Sequence, residues 1–270
     1  MNSESRNIFP LPHRVTIADR AFTLIELLVI LAIVITLLAV AWPALSHTRN
    51  QAQDAIDIYN HRQLMAAAAL YSADQNESLP GNGWGTTSDC WAHEGNIPVY
   101  NGTITAATFP AALSNQVQFC QRGQLFSYVR SPAIFKCPMD VTNEVYFQRE
   151  ILFSSYTWNG AVCAYGFLPD GVSLKITQFK PNSLLEWEFD EQTPFYVNDC
   201  SEYPDEGISS RHGSYATAGL VSGGTQRIPI KEWYSSLYAG QQAARGTTIP
   251  QSQRPNQAWC NPQVRSGLEN

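Results

Sequence analysis

Residues 22–42 form an unbroken apolar run that holds one carboxylate, Glu26, and this combination narrows the possible folds more than any other feature of the chain. From Phe22 to Trp42 the run is 21 residues. As an α-helix it would be about 31 Å long, matching a hydrocarbon core of about 30 Å. The polar segment 1–21 carries Arg6, Arg14 and Arg20, so the positive-inside rule keeps it cytoplasmic and sends the rest of the chain outward. A secretory signal would also suit the stretch Leu27 to Leu38, with Ala39-Val40-Ala41 behind it as a cleavage site. Glu26 does not fit that reading. A carboxylate in an apolar helix costs about 2.5–3.5 kcal/mol at mid-bilayer and less near the edge, and a discarded signal gains nothing from it.

The stretch Ala21-Phe22-Thr23-Leu24-Ile25-Glu26-Leu27 resembles the Gly-Phe-Thr-Leu-Ile-Glu-Leu signature of type IV prepilins and type II secretion pseudopilins, with Ala21 standing where that family usually has Gly. The resemblance implies that a prepilin peptidase cuts between Ala21 and Phe22 and methylates the new Phe22 amine. Glu26 then becomes the fifth mature residue and pairs with the Phe22 amine of a neighbouring subunit. Such a pair offsets the cost of the buried carboxylate only in an assembly.

Pro43 follows the span and is expected to kink the helix there. The helical pattern resumes through Leu45, Ala52, Ile56, Tyr59, Ala66, Ala67 and Leu70. Asn76 and Leu79-Pro80-Gly81 end it. The expected divisions are a leader at 1–21, a membrane helix at 22–42, an extracytoplasmic stem at 43–78 and a head at 79–270. In the head, Val172 to Thr177 and Leu185 to Asp190 alternate like strands. The second would bury Leu185, Trp187 and Phe189 on one face. Tyr215 to Val221 and Arg227 to Ile230 flank Ser222-Gly223-Gly224-Thr225 as a hairpin, and Lys231 to Arg245 suggests a short helix. The fold class is therefore α+β: by resemblance pilin-like, a long kinked N-terminal helix packed on a β-rich C-terminal head. Leu125 to Asp140, followed by Ser155 to Asn159, resembles a segment of large prepilin-like proteins of environmental bacteria. His212 with Ser222-Gly223 resembles their His-x9-Asp-Gly signature, with Ser222 in place of the Asp.

Cys90, Cys120, Cys137, Cys163, Cys200 and Cys260 all lie after the apolar run. That distribution suits export to an oxidising compartment, with up to three disulfides whose pairing stays open. No Cys-x-x-Cys pair is present, which argues against zinc. The formal charge of −6 argues against nucleic acid as a partner. The five histidines are scattered and no hydrolase, metalloprotease or phosphate-loop motif occurs, so no enzyme is expected. Between Lys180 and Arg211 the only charges are acidic, among them Glu186, Glu188, Asp190, Glu191, Asp199 and Glu202. They are expected to be a solvated strand face and loop. The sharper alternative is a Ca²⁺ site from Asp190, Asn198 and Asp199, the one cofactor considered.

These readings point to a structural subunit: a single-pass inner-membrane protein, N-terminus cytoplasmic and head periplasmic or in a surface fibre. Prepilin peptidase would process it, and it would assemble with other subunits into a type II secretion pseudopilus or a type IV pilus-like fibre. The alternative is a membrane-anchored module whose head captures a ligand. The two differ in what they ask of Glu26.

Overall fold

The computed structural model describes residues 22–85, 88–100, 103–169, 171–234, 256–264 and 267. The expected leader at 1–21 lies outside them, as do residues 235–245 of the expected short helix. Two compact units divide the chain, Met1–Arg49 and Asn50–Asn270. Helix α1, Leu24–Asp74, is 51 residues long. In the first unit its stretch Leu24–Trp42 has a mean hydropathy of 3.0, and 0% of it is buried. That stretch is long and apolar enough to cross a membrane. Pro43, where a kink is expected, lies inside α1, and the helix continues through it.

In the second unit the rest of α1 joins the core through Leu64, Met65, Ala67 and Ala68. The sheet has five short strands: β1 (Tyr156–Asn159), β2 (Leu184–Glu188), β3 (Ser201–Glu202), β4 (Tyr215–Leu220) and β5 (Thr225–Pro229). Their order is β3-β1-β2-β4-β5. All neighbours are antiparallel except β1 and β3. The hairpin β4–β5 turns at the expected Ser-Gly-Gly segment, where Gly223 takes φ +89, a left-handed conformation that glycine adopts without strain. The fold class is thus mixed α+β, although the sheet is small and much of the head is 3₁₀ turns and loops.

Two local expectations are corrected. Val172 to Thr177 is no strand: it makes a single bridge, Lys175 to Ser78. The Gln178 side chain accepts from Lys175 N (2.8 Å) and closes a 3₁₀ turn over Ile176–Gln178 instead. Strand β2 does not place Leu185, Trp187 and Phe189 in one core. A register shift against β4 between Leu184 and Glu186 breaks the alternation. Leu185 and Phe189 therefore join the main core, while Leu184 and Trp187 join a second core with Trp233 and Ile228. Helix α2, Phe109–Cys120, is not apparent from the sequence because its buried stripe is Ala112, Gln116 and Cys120, with a polar residue at the centre. The Gln116 amide donates to the carbonyls of Pro98 and Glu150 and accepts from Leu152 N (2.8 Å). Of the suggested short helix, the described part is one turn, α4 (Ile230–Trp233).

α1 crosses β4 closely at Gly219. A Cβ there would stand 2.5 Å from Met65 Sδ and 2.8 Å from Glu186 Oε2. Gly219→Ala is expected to destabilise the protein by about 1–3 kcal/mol through overpacking. A denaturation midpoint unchanged from the parent would show that α1 stands farther from β4.

Candidate functional site

The acidic residues of β2 do not face solvent. Glu186 and Glu188 are both 0% exposed, which corrects the expected solvated face. Helix α1 supplies their partners, because Asp57 and His61 sit one helical turn apart on its inward side, beside Leu64 and Ala68. His61 Nδ1 is 2.8 Å from Glu186 Oε2, and Nε2 is 3.4 Å from Asp57 Oδ2. Tyr156 of β1 donates to the other Asp57 oxygen at 2.8 Å. Burial disfavours a charge on His61, but Glu186 and Asp57 outweigh it and hold its pKa well above 6.5. Burial also raises the Glu186 carboxyl against the pull of His61. The imidazole faces two carboxylates while Glu186 faces one cation.

His212 repeats the arrangement next door. Its Nε2 is 3.1 Å from Glu188 Oε1 and 3.5 Å from Asp57 Oδ2, and its Nδ1 is 2.8 Å from Asp54 Oδ1. Burial opposes its charge, yet Glu188, Asp57 and Asp54 raise its pKa. Asp54 also accepts from Tyr215 (2.7 Å) and pairs with Arg227. Arg211, adjacent in sequence, contacts Glu188 (3.3 Å), Glu191 (3.6 Å) and Asp140 (3.8 Å). Arg149 closes the cluster through both Asp140 oxygens, at 2.8 and 3.2 Å. The segments Leu125 to Asp140 and Ser155 to Asn159 and the residue His212, singled out in the sequence, meet here through Asp140, Ser155 and Tyr156.

Cys137 Sγ stands 3.4 Å from His212 Nε2, a thiol–imidazole–carboxylate order that could serve nucleophilic chemistry. Its surroundings oppose that use. Cys137 is 0% exposed, and burial with the nearby Glu188 and Asp57 charges pushes the thiol far up. A thiol so held stays protonated, and the thiolate is the reactive form. The network is suited to fixing α1 on the sheet.

At the start of α1, Glu26 lies in the first turn. Its Oε2 accepts from Thr23 N (2.9 Å) and Thr23 Oγ1 (2.8 Å), and Glu26 N donates back to Thr23 Oγ1 at 3.2 Å. This is a capping box, readable in the sequence as Thr-x-x-Glu ahead of an apolar run. Phe22 is exposed just before it.

Of the residues considered for Ca²⁺, Asp190 Oδ1 accepts from Gln192 N (2.9 Å). Asp199 accepts from Ser201 N (2.9 Å) and Gly85 N (2.8 Å), and Asn198 is exposed. Both carboxylates thus shape backbone turns. Burial raises the Asp199 carboxyl to about 6. All six cysteines are buried and unpaired in this structure. Among the described residues, two groups of His, Cys, Asp and Glu bring three or more ligand atoms within 4.8 Å of one another: Asp57, Cys137, Glu188 and His212, and Cys90, His93 and Cys200. The first is already neutralised by the ion pairs above. Comparison of the chain with protein-family models, with curated proteins and with solved structures returns no match.

Proposed function

We propose that this chain is a prepilin-like subunit: a single-pass membrane protein, cut before Phe22, whose N-terminal helix assembles with other subunits into a secretion pseudopilus or pilus-like fibre. The observation that carries this reading is the apolar stretch Leu24–Trp42, of which 0% is buried within the chain although a carboxylate stands in its first turn. Such a surface must be covered, by lipid in the membrane and by neighbouring helices in a fibre. The rigid attachment of α1 to the sheet through Asp57 and His61 suits a subunit that bears load along its helix.

The capping box favours a second reading, a membrane anchor that displays the head, because it gives Glu26 a use in a lone helix. Glu26→Gln separates the two. Glutamine keeps an oxygen for Thr23 and removes the charge that would meet a Phe22 amine. Under the subunit reading, Glu26→Gln lowers the yield of cross-linked multimers at least about tenfold, the effect of about 1.4 kcal/mol per contact, while N-terminal cleavage by a prepilin peptidase proceeds. Multimers at parental yield would sink assembly and favour display. Mass spectrometry of the mature N-terminus supplies an independent check, since the proposal requires a methylated Phe22 there.

A further inference from the structure

Cys90, His93 and Cys200 each offer a ligand atom, and these atoms lie within 4.8 Å of one another. A zinc ion bound tetrahedrally at about 2.3 Å from sulfur and about 2.0–2.1 Å from nitrogen holds such atoms about 3.5–3.8 Å apart, so the set can close on an ion by a small shift. Cys90 and His93 are 0% exposed and Cys200 is 1% exposed. Neither imidazole nitrogen of His93 reaches a hydrogen-bond partner in good geometry. The groups around the ring are the Cys90 sulfur, the Gly95 backbone and, through its charge, Asp199. A buried polar group left idle costs about 1–3 kcal/mol, and a metal bond to one ring nitrogen with the other turned to a backbone carbonyl is how ligating histidines are commonly held.

The backbone around these residues is built tightly. Cys90 N donates to His93 O (2.9 Å), Cys200 N to Gly83 O (3.2 Å) and Trp91 Nε1 to Cys200 O (2.9 Å). His93 N approaches the Cys90 sulfur at 3.4 Å. Gly83 packs against both cysteines at φ +85, where an added Cβ would stand 2.9 Å from Cys90 Sγ and 2.8 Å from Cys200 Cβ. We propose that Cys90, His93 and Cys200 form a zinc site that ties the segment 88–93 to the chain entering β3. The Cys-x-x-His spacing of Cys90 and His93 replaces the Cys-x-x-Cys pair whose absence argued against zinc. Cys200 is supplied from a remote part of the chain. Among the described residues no fourth His, Cys, Asp or Glu joins the group.

The test uses the full chain in detergent, purified with and without added Zn²⁺ and then loaded with Co²⁺. The expected result is one zinc per chain by elemental analysis. Co²⁺ should give a thiolate-to-cobalt charge-transfer band. Cys90→Ser, Cys200→Ser and His93→Gln should each abolish the band, whereas Cys163→Ser should keep it. The zinc content and the cobalt band of the parent protein decide the matter even where a variant fails to fold. A metal-free chain with a Cys90–Cys200 disulfide, or a band that survives Cys200→Ser in a folded protein, would overturn the proposal.

Discussion

Arg211→Leu is expected to destabilise the head by about 3–5 kcal/mol, the cost of leaving buried carboxylates without their cation. The Arg211 side chain is 4% exposed and is shared by Asp140, Glu188 and Glu191. It also donates to the carbonyls of Ser155 (3.2 Å) and Phe189 (3.4 Å). Arg149 would still hold Asp140 and His212 would still hold Glu188, so the loss should stop short of unfolding a domain of ordinary stability. Arg211→Lys keeps the charge but not the planar fork and cannot serve three acids together, so an intermediate loss is expected. The contrast is Arg122, whose side chain is 49% exposed in its pair with Glu94. Arg122→Ala should cost no more than about 1 kcal/mol. Denaturant midpoints of the full chain in detergent decide between these values. If Arg211→Leu fell as little as Arg122→Ala, water would be reaching the network and the buried-cation account would fail.

Much of this arrangement was legible in the sequence, but not its most consequential part. The apolar run, the end of α1 near Asp74 and the β4–β5 hairpin all follow from local signals of length, periodicity and turn chemistry. The alternation of Glu186 and Glu188 with apolar residues is equally visible, yet both carboxylates are buried. A period of two separates two faces and says nothing about which of them meets water. The decisive clue lay elsewhere, on α1, where Asp57 and His61 share the stripe of Leu64 and Ala68. Polar residues on a helix's inward stripe call for polar partners on whatever it covers. Only the tertiary pairing shows that β2 is the partner. Cys90 and His93 likewise had a readable spacing, while Cys200 is brought to them by the chain path alone. The capping box of Thr23 and Glu26 could have been found from the sequence.

The stability of the head should pass through a maximum at about pH 4.5–5 and decline on the alkaline side, most steeply above about pH 6.5. The sign follows from His61 and His212, whose folded-state pKa values are both raised above 6.5. Each contributes stabilisation that is complete below about pH 6.5 and is lost as pH rises toward its folded value, at up to about 1.4 kcal/mol per pH unit per histidine. The groups facing His61 are Asp57 on α1, Glu186 on β2 and the Tyr156 ring on β1. Those facing His212 are Asp54 and Asp57 on α1, Glu188 on β2, Cys137 and Tyr215. Glu186, raised by burial, acts in the same direction from about pH 4.5 upward. The acid limb has the opposite origin. Asp57, Asp140 and Glu191 are held below their ordinary values because His61, Arg211 and their hydrogen-bond donors outweigh burial. Their stabilisation is present above about pH 4–4.5 and is lost on further acidification. In His212→Gln the alkaline slope should shrink by up to about 1.4 kcal/mol per pH unit, beyond any uniform loss from the missing contacts. A parental stability that stays level between about pH 6.5 and 8.5 would mean that the two imidazoles are neutral in the fold, and the charge assignment of the network would have to be reversed.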